Sequence, residues 1–318
     1  RSGAGVSPPT TAALWRRLVA ESIGSGLLVT VVVGSGIAAS RLSPHDVGLQ
    51  RLENALTTAL GLAVLILAFG PVSGAHFNPV ISAADWWVGR RTGTGLRADE
   101  MGAYALAQAG GAISGAVLAD VMFAAPAVAW SHTDRSAGHL LVGELVATAG
   151  LVFLIFALAR TGRATLAAPA VGAYIGAAYW FTSSTSFANP AVTLGRMFTD
   201  TFAGIAPASV PWFLVSQLAG ATVGVGLLLA LYPHVGAVAD QIIVPLTGTG
   251  GTVGDQPASD LHFPDVLTDR EAPTPARDPR ESSVPDVSAN ITGKPSVLFV
   301  SAQPARVGDL PTQRRRYV

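Results

Sequence analysis

Seven polar side chains in this sequence are of a type and spacing that could do chemistry. Asn78-Pro79 and Asn189-Pro190 are 111 residues apart, Glu21 and Glu144 are 123 apart, Gln108 and Gln217 are 109 apart, and His76 stands two residues before the first Asn-Pro pair. An Asn followed by Pro suits the start of a helix, because the Asn side chain can accept from the first turn and Pro at the first helical position costs no backbone hydrogen bond. Such an Asn keeps amide N–H groups to offer a passing oxygen. Glu21 and Glu144 lie in apolar surroundings, where a carboxylate is expensive unless it is braced by donors or relays protons. His76 could titrate near neutral pH. Nucleophilic and redox chemistry is restricted, since the chain has no Cys and therefore no thiolate, disulfide, iron–sulfur cluster or cysteine metal site. No cofactor and no metal is expected.

The elements that must carry these groups are membrane helices. Of 318 residues 50% are apolar and only 13% charged, against about a quarter in soluble domains. Formal net charge is zero, which excludes a bulk basic surface for nucleic acid. Residues 1–236 carry 12 Arg and 10 Asp or Glu, whereas the 82 residues of 237–318 carry 8 basic and 10 acidic groups. The first part reads as a membrane domain, 237–293 as a polar, Pro-rich linker, and 294–318 as a separate fragment. Charge-free runs place six spans near 15–38, 51–70, 98–124, 138–160, 164–182 and 208–232. The runs Asn54–Ala84 and Ala164–Gly195 are too long for one span and too short for two, and each holds an Asn-Pro in its second half. A full span followed by a re-entrant half-helix accounts for that length. Arg16 and Arg17 precede a long span rather than a short apolar core, so no cleavable signal is expected. With both termini cytoplasmic, eight Arg of the membrane domain fall inside and four outside, in keeping with the positive-inside rule.

Two halves can be superimposed in sequence. Gln108-Ala109-Gly110-Gly111-Ala112-Ile113-Ser114-Gly115 matches Gln217-Leu218-Ala219-Gly220-Ala221-Thr222-Val223-Gly224, and Ser73-Gly74-Ala75-His76-Phe77-Asn78-Pro79-Val80 matches Ser184-Thr185-Ser186-Phe187-Ala188-Asn189-Pro190-Ala191. Three spans per half is an odd number, so the repeat is inverted, with a site at the interface near the midplane.

These two Asn-Pro half-helices, the Ser-Gly-Ala-His before the first, and the paired Gln-x-x-Gly-Ala resemble the aquaporin (major intrinsic protein) family over about residues 12–235. The resemblance implies an all-α membrane protein with six transmembrane helices and two re-entrant half-helices. It implies a homotetramer in the lipid bilayer with one pore per subunit, Asn78 and Asn189 at the pore centre, and Glu21, Glu144, His76, Gln108 and Gln217 as buried structural groups. The first motif departs by Val80 in place of Ala, while the second keeps Ala191. Where the family usually carries Arg, three positions after the second Asn, this chain has Val192; Arg196, one turn on, is expected to point to the outer surface. The remaining filter positions are expected at Thr58, Ala177 and Ser186, giving a wide filter with neither bulky aromatic, His nor Arg. The stretch from Ser183 to Thr193 is similar to bacterial aquaglyceroporins linked to arsenic resistance.

The expected function is a passive channel for small uncharged solutes: arsenite, glycerol-like polyols and water. A water-selective aquaporin and a proton-coupled transporter using Glu21, Glu144 or His76 are the alternatives. In the tail, Lys294-Pro295-Ser296-Val297-Leu298-Phe299-Val300-Ser301 resembles the opening strand of low-molecular-weight phosphatase-type arsenate reductases, with Ser301 at the Cys position and Arg306 five residues on. Without Cys it is expected to be a non-catalytic, truncated fragment.

Overall fold

The structure, a computed structural model, describes residues 12–90 and 93–232. The linker 237–293 and the fragment 294–318 lie outside the described residues. Eight α-helices and no strand occur among those described: α1 Leu14–Leu42, α2 Val47–Ser73, α3 Pro79–Gly89, α4 Ala98–Met122, α5 Gly138–Arg160, α6 Ala167–Phe181, α7 Pro190–Arg196 and α8 Val210–Leu231. Five of them (α1, α2, α4, α5 and α8) are long and apolar enough to cross a membrane. The sixth span, α6, is lengthened at its start by a 3-10 turn over Ala164–Leu166. α3 and α7 are the half-helices. Leu60, Val64 and Leu67 on α2, Leu106 on α4 and Val215 on α8 are exposed, whereas polar Glu21, Gln108, Glu144 and Gln217 are fully buried. Such an inside-out distribution suits a hydrocarbon solvent, which rewards no apolar burial and penalises exposed polar groups.

The two halves close through the same device. α1 crosses α4 where a Cβ on Gly111 or Gly115 would collide with the carbonyls of Ser22 and Gly26. α5 crosses α8 where a Cβ on Gly220 or Gly224 would lie 2.5 Å from Leu145 O and Ala149 O. Lipid gives no hydrophobic drive to helix association, so close backbone approach over small residues supplies the dispersion contact. Each member of one crossing maps onto the other by the sequence offsets already read.

Candidate functional site

The loops that enter the half-helices repeat each other in backbone conformation. Positive φ occurs at Gly74, Ala75 and Phe77 before α3 and at Thr185, Ser186 and Ala188 before α7, three pairs each 111 residues apart. Five of those six carry a Cβ and hold a left-handed conformation that costs about 1 kcal/mol or more per residue, so neighbouring groups must hold them there.

The buried carboxylates do this. Glu21 Oε1 accepts from Ser73 Oγ (2.6 Å) and His76 N (3.0 Å), and Oε2 from Phe77 N (2.7 Å) and Gln108 Nε2 (2.7 Å). Glu144 Oε1 accepts from Phe187 N (2.8 Å), and Oε2 from Ala188 N (2.9 Å) and Gln217 Nε2 (2.7 Å). Each Gln also donates to the hydroxyl four residues past its half-helix Asn, Gln108 to Ser82 at 3.0 Å and Gln217 to Thr193 at 2.9 Å. Each carboxylate thus ties the loop that enters its half-helix to the Gln of a neighbouring long helix. The His76 ring packs against Tyr104 with centroids 5.5 Å apart, and its Nδ1 lies 3.1 Å from Ser82 Oγ.

Asn78 and Asn189 cap α3 and α7 from nearly identical backbone angles, φ −154° and −158°. Asn78 Oδ1 accepts from Val80 N, and Asn189 Oδ1 from Ala191 N and Val192 N. Their amide nitrogens reach the opposite loop: Asn78 Nδ2 donates to Ala188 O (2.8 Å) and Asn189 Nδ2 to Phe77 O (2.7 Å). One hydrogen of each amide is thus fixed in the opposite loop, and both side chains line a narrow cavity of about 50 Å³. That volume holds a short file of water-sized groups. Two helix N-termini meet there, so the field at the asparagines is positive.

The walls of this cavity differ in character. Leu28, Leu62, Leu151 and Val192 make apolar surface, and Thr58, Ser186 and the two asparagines make polar surface. Pro79 and Pro190 are the first residues of their half-helices, and Val80 is buried in α3, where it faces a cleft against α8 instead of the cavity. Ala177, expected at the constriction, is not there: it is exposed on the outer side of α6. The α6 residues that reach the cavity are Ile175 and Tyr179, and the Tyr179 hydroxyl lies 3.2 Å from Thr58 Oγ1. Positions two apart on a helix face away from each other, so Ala177 and its neighbours at 175 and 179 cannot share a wall. Arg196 also departs from expectation. It is 3% exposed and lines the cavity instead of pointing to the surface. Its Nε donates to Ala203 O and its guanidinium carbon lies 3.4 Å from the centre of the Phe187 ring. The cavity wall thus includes aromatic and cationic side chains, Tyr179, Phe187 and Arg196, which were not among the expected filter residues. A sequence signal existed, because the 111-residue offset pairs Arg196 with Asp85, whose Oδ2 accepts from Leu96 N in the loop after α3.

Beyond Arg196, the loop 123–137 closes over this end. Ala129 N and Ser131 N donate to Phe198 O and Met197 O, and Ala206 N donates to Thr133 O. Arg135 Nε donates to Gly204 O (2.9 Å), and burial pulls the Arg135 pKa below its ordinary value. At the opposite end Arg17 is paired with Glu100 at 3.0 Å and donates to Tyr104 Oη. No cluster of three His, Asp or Glu able to hold a metal occurs among the described residues.

A family model described as Major intrinsic protein matches residues 9–186. Aquaglyceroporin AqpS of Rhizobium meliloti (strain 1021) is 47% identical over 216 residues, spanning 68% of this chain and 89% of that protein. The Glycerol uptake facilitator protein of Pseudomonas aeruginosa is 26% identical, spanning 68% of this chain and 88% of its own length. The solved structure of the aquaglyceroporin from Plasmodium falciparum shares the fold, with a TM-score of 0.52 at 20% identity over 72% of this chain and 99% of that one.

Proposed function

The chain belongs to the major intrinsic protein family of membrane channels, and from that premise we propose that it conducts small uncharged hydroxylated solutes, glycerol-like polyols and arsenous acid among them, together with water. The observation that carries this reading is the cavity at the paired asparagines, lined by aliphatic side chains together with hydroxyl and amide groups. A polyol offers carbon to the aliphatic groups and hydroxyls to the polar ones. Val192, where many relatives place a cation, leaves that part of the wall apolar and small. Arsenous acid is a neutral trihydroxide of similar size, and the similarity to an aquaglyceroporin supports a glycerol-sized permeant.

In this reading Asn78 and Asn189 each hold a donor towards the file of permeant oxygens. Two fixed donors under a positive field orient successive waters away from each other and interrupt proton relay. Thr58, Tyr179 and Ser186 exchange hydrogen bonds with the solute, and Glu21 and Glu144 keep the loops in register. Both termini are placed in the cytoplasm, Arg196 then marks the outer mouth, and four chains assemble with a pore in each.

Purified full-length protein in proteoliposomes, exposed to glycerol and then arsenite gradients, tests the reading by stopped-flow shrinkage and recovery. Flux above protein-free vesicles is expected for both solutes and for water. Water flux with neither solute passing would instead establish a water-selective pore, a second reading favoured by Tyr179 and Arg196 beside so small a cavity.

A further inference from the structure

Arginines at the two ends of the pore are treated differently, Arg17 and Arg196 being buried and Arg135 half-buried. Arg17 has Glu100 against it at 3.0 Å. Arg196 and Arg135 have no carboxylate partner among the described residues. Each spends its Nε on a backbone carbonyl, Ala203 O and Gly204 O respectively, which are consecutive in the chain. Both guanidinium groups lie against the ring of Phe187, at 3.4 and 5.1 Å from its centre. Their terminal nitrogens make no hydrogen bond to any described residue, although Arg196 is 97% buried and borders the cavity.

The acidic groups around this end are engaged elsewhere. Glu144 accepts from Phe187 N, Ala188 N and Gln217. Asp120 accepts from Thr199, Asp134 from Ser209 and Ser136 N, and Asp200 from His132. Two guanidinium groups beside one aromatic ring repel each other, and the buried charge of Arg196 is costly without a counter-ion. The carbonyls and the ring face offset part of that cost. The four terminal nitrogens, with up to eight N–H donors between them, remain to be used.

We propose that Arg196 and Arg135 form an anion-binding subsite at this mouth of the channel, taking a small planar oxyanion of the size of formate. A planar carboxylate matches the paired N–H groups of a guanidinium edge. Phe187 holds the Arg196 plane, and the Ala203 carbonyl fixes its Nε, so little side-chain freedom is lost on binding. An anion seated there narrows the cavity that Arg196 borders, so neutral solutes and the anion compete. The same two charges repel cations approaching from that side.

The probe is sodium formate with full-length protein in detergent, read by broadening of the formate carbon resonance, with chloride held constant. Broadening saturating in the millimolar range is expected. Arg196→Gln and Arg135→Gln are each expected to weaken it roughly tenfold, since a hydrogen bond to a charged group contributes that order. Arg90→Gln, on the surface beside Trp86 and Trp87, is expected to leave it unchanged. Should Arg196→Gln fail to fold through loss of its Ala203 anchor, Arg135→Gln decides alone. Absence of broadening in the wild type, or its persistence in a folded Arg135→Gln protein, overturns the proposal. Glycerol flux into proteoliposomes with formate added on one side is then measured. Inhibition from one side only, relieved in Arg135→Gln, is expected. Binding is read without flux, so the subsite can fail while the channel reading stands, and the reverse.

Discussion

Replacing Glu144 with Gln probes the brace of the second loop directly. The carboxylate accepts from Phe187 N, Ala188 N and Gln217 Nε2 at 2.8, 2.9 and 2.7 Å, and none of the three donors has access to solvent. The two backbone donors are served by different oxygens. A carboxamide keeps only one oxygen, so one backbone N–H must face an amide N–H instead. An orphaned buried donor costs about 1–3 kcal/mol. The bonds that survive lose their charge assistance, which costs about another 1–2 kcal/mol. A loss of roughly 2–5 kcal/mol follows, a large share of the 5–15 kcal/mol typical of a folded domain. At about 2–4 °C per kcal/mol for a domain of this size, the unfolding midpoint in detergent falls by about 4–20 °C. Glu21→Gln is expected to cost at least as much, because four donors converge on Glu21. Solute flux per folded molecule is expected to fall in both, since Asn189 and Asn78 directly follow the braced segments. Thermal unfolding and proteoliposome flux on the same preparations give the answer. If both variants unfold within about 0.5 kcal/mol of wild type, the ordinary scatter of a harmless surface change, the carboxylates are not the acceptors that hold these loops, and the reasoning fails.

Other outcomes follow from the same geometry. Asn189→Ala removes the acceptor of Ala191 N and Val192 N and the donor to Phe77 O; a stability loss of about 1–2 kcal/mol or more and a raised proton leak in pH-sensitive dye vesicles are expected. Val192→Arg puts a long cation into the apolar wall and should reduce glycerol flux much more than water flux; an unchanged ratio would contradict the place given to Val192. Gly220→Val forces side-chain atoms against Leu145 O and should destabilise by about 1–3 kcal/mol or more, whereas Gly226→Ala, with nothing within 4 Å of its Cβ, should be neutral or slightly stabilising by unfolding assay. The Asp200 carboxyl is held below its usual value by the backbone N–H and ring of His132. Its folded pKa is depressed, so its tie between the two loops is complete above the unfolded value near 3.9 and is lost as pH falls through the folded one. Amide exchange at His132 should accelerate in that acid range, and Asp200→Asn should remove the pH dependence.

Most of the architecture was legible because a bilayer imposes a strict arithmetic. A run of about twenty apolar residues spans, a run of thirty with an Asn-Pro in its second half spans and then re-enters, and intramembrane Glu and Gln must find donors and acceptors inside the protein. The fold class, both asparagine caps and the Gly positions at the helix crossings all follow from residue type and spacing. The pairing of Glu21 with Gln108, and of Glu144 with Gln217, was visible only as parallel motifs. Tertiary structure turned those motifs into two equivalent braces of left-handed loops.

The cavity wall was decided by rotation and by loop closure, neither of which spacing controls. Counting along the chain landed on Ala177, but a two-residue error on a helix turns a side chain by about 200° at 3.6 residues per turn, and so Tyr179 with its hydroxyl stands opposite Thr58. Arg196 follows the same logic in reverse. Its place one turn beyond Val192 suggested the outer surface, yet the turn at Ala203–Gly204 folds back to offer a carbonyl and Phe187 offers a ring, which hold the guanidinium at the cavity. The sequence alone determined that this chain makes a six-span bundle with two inverted half-helices around paired asparagines, because hydrocarbon leaves polar backbone no other solution. Which side chains border the path, and that Arg135 and Arg196 both reach Phe187 with no carboxylate partner among the described residues, only the packed structure could decide, because helix rotation and loop return depend on contacts distant in the chain.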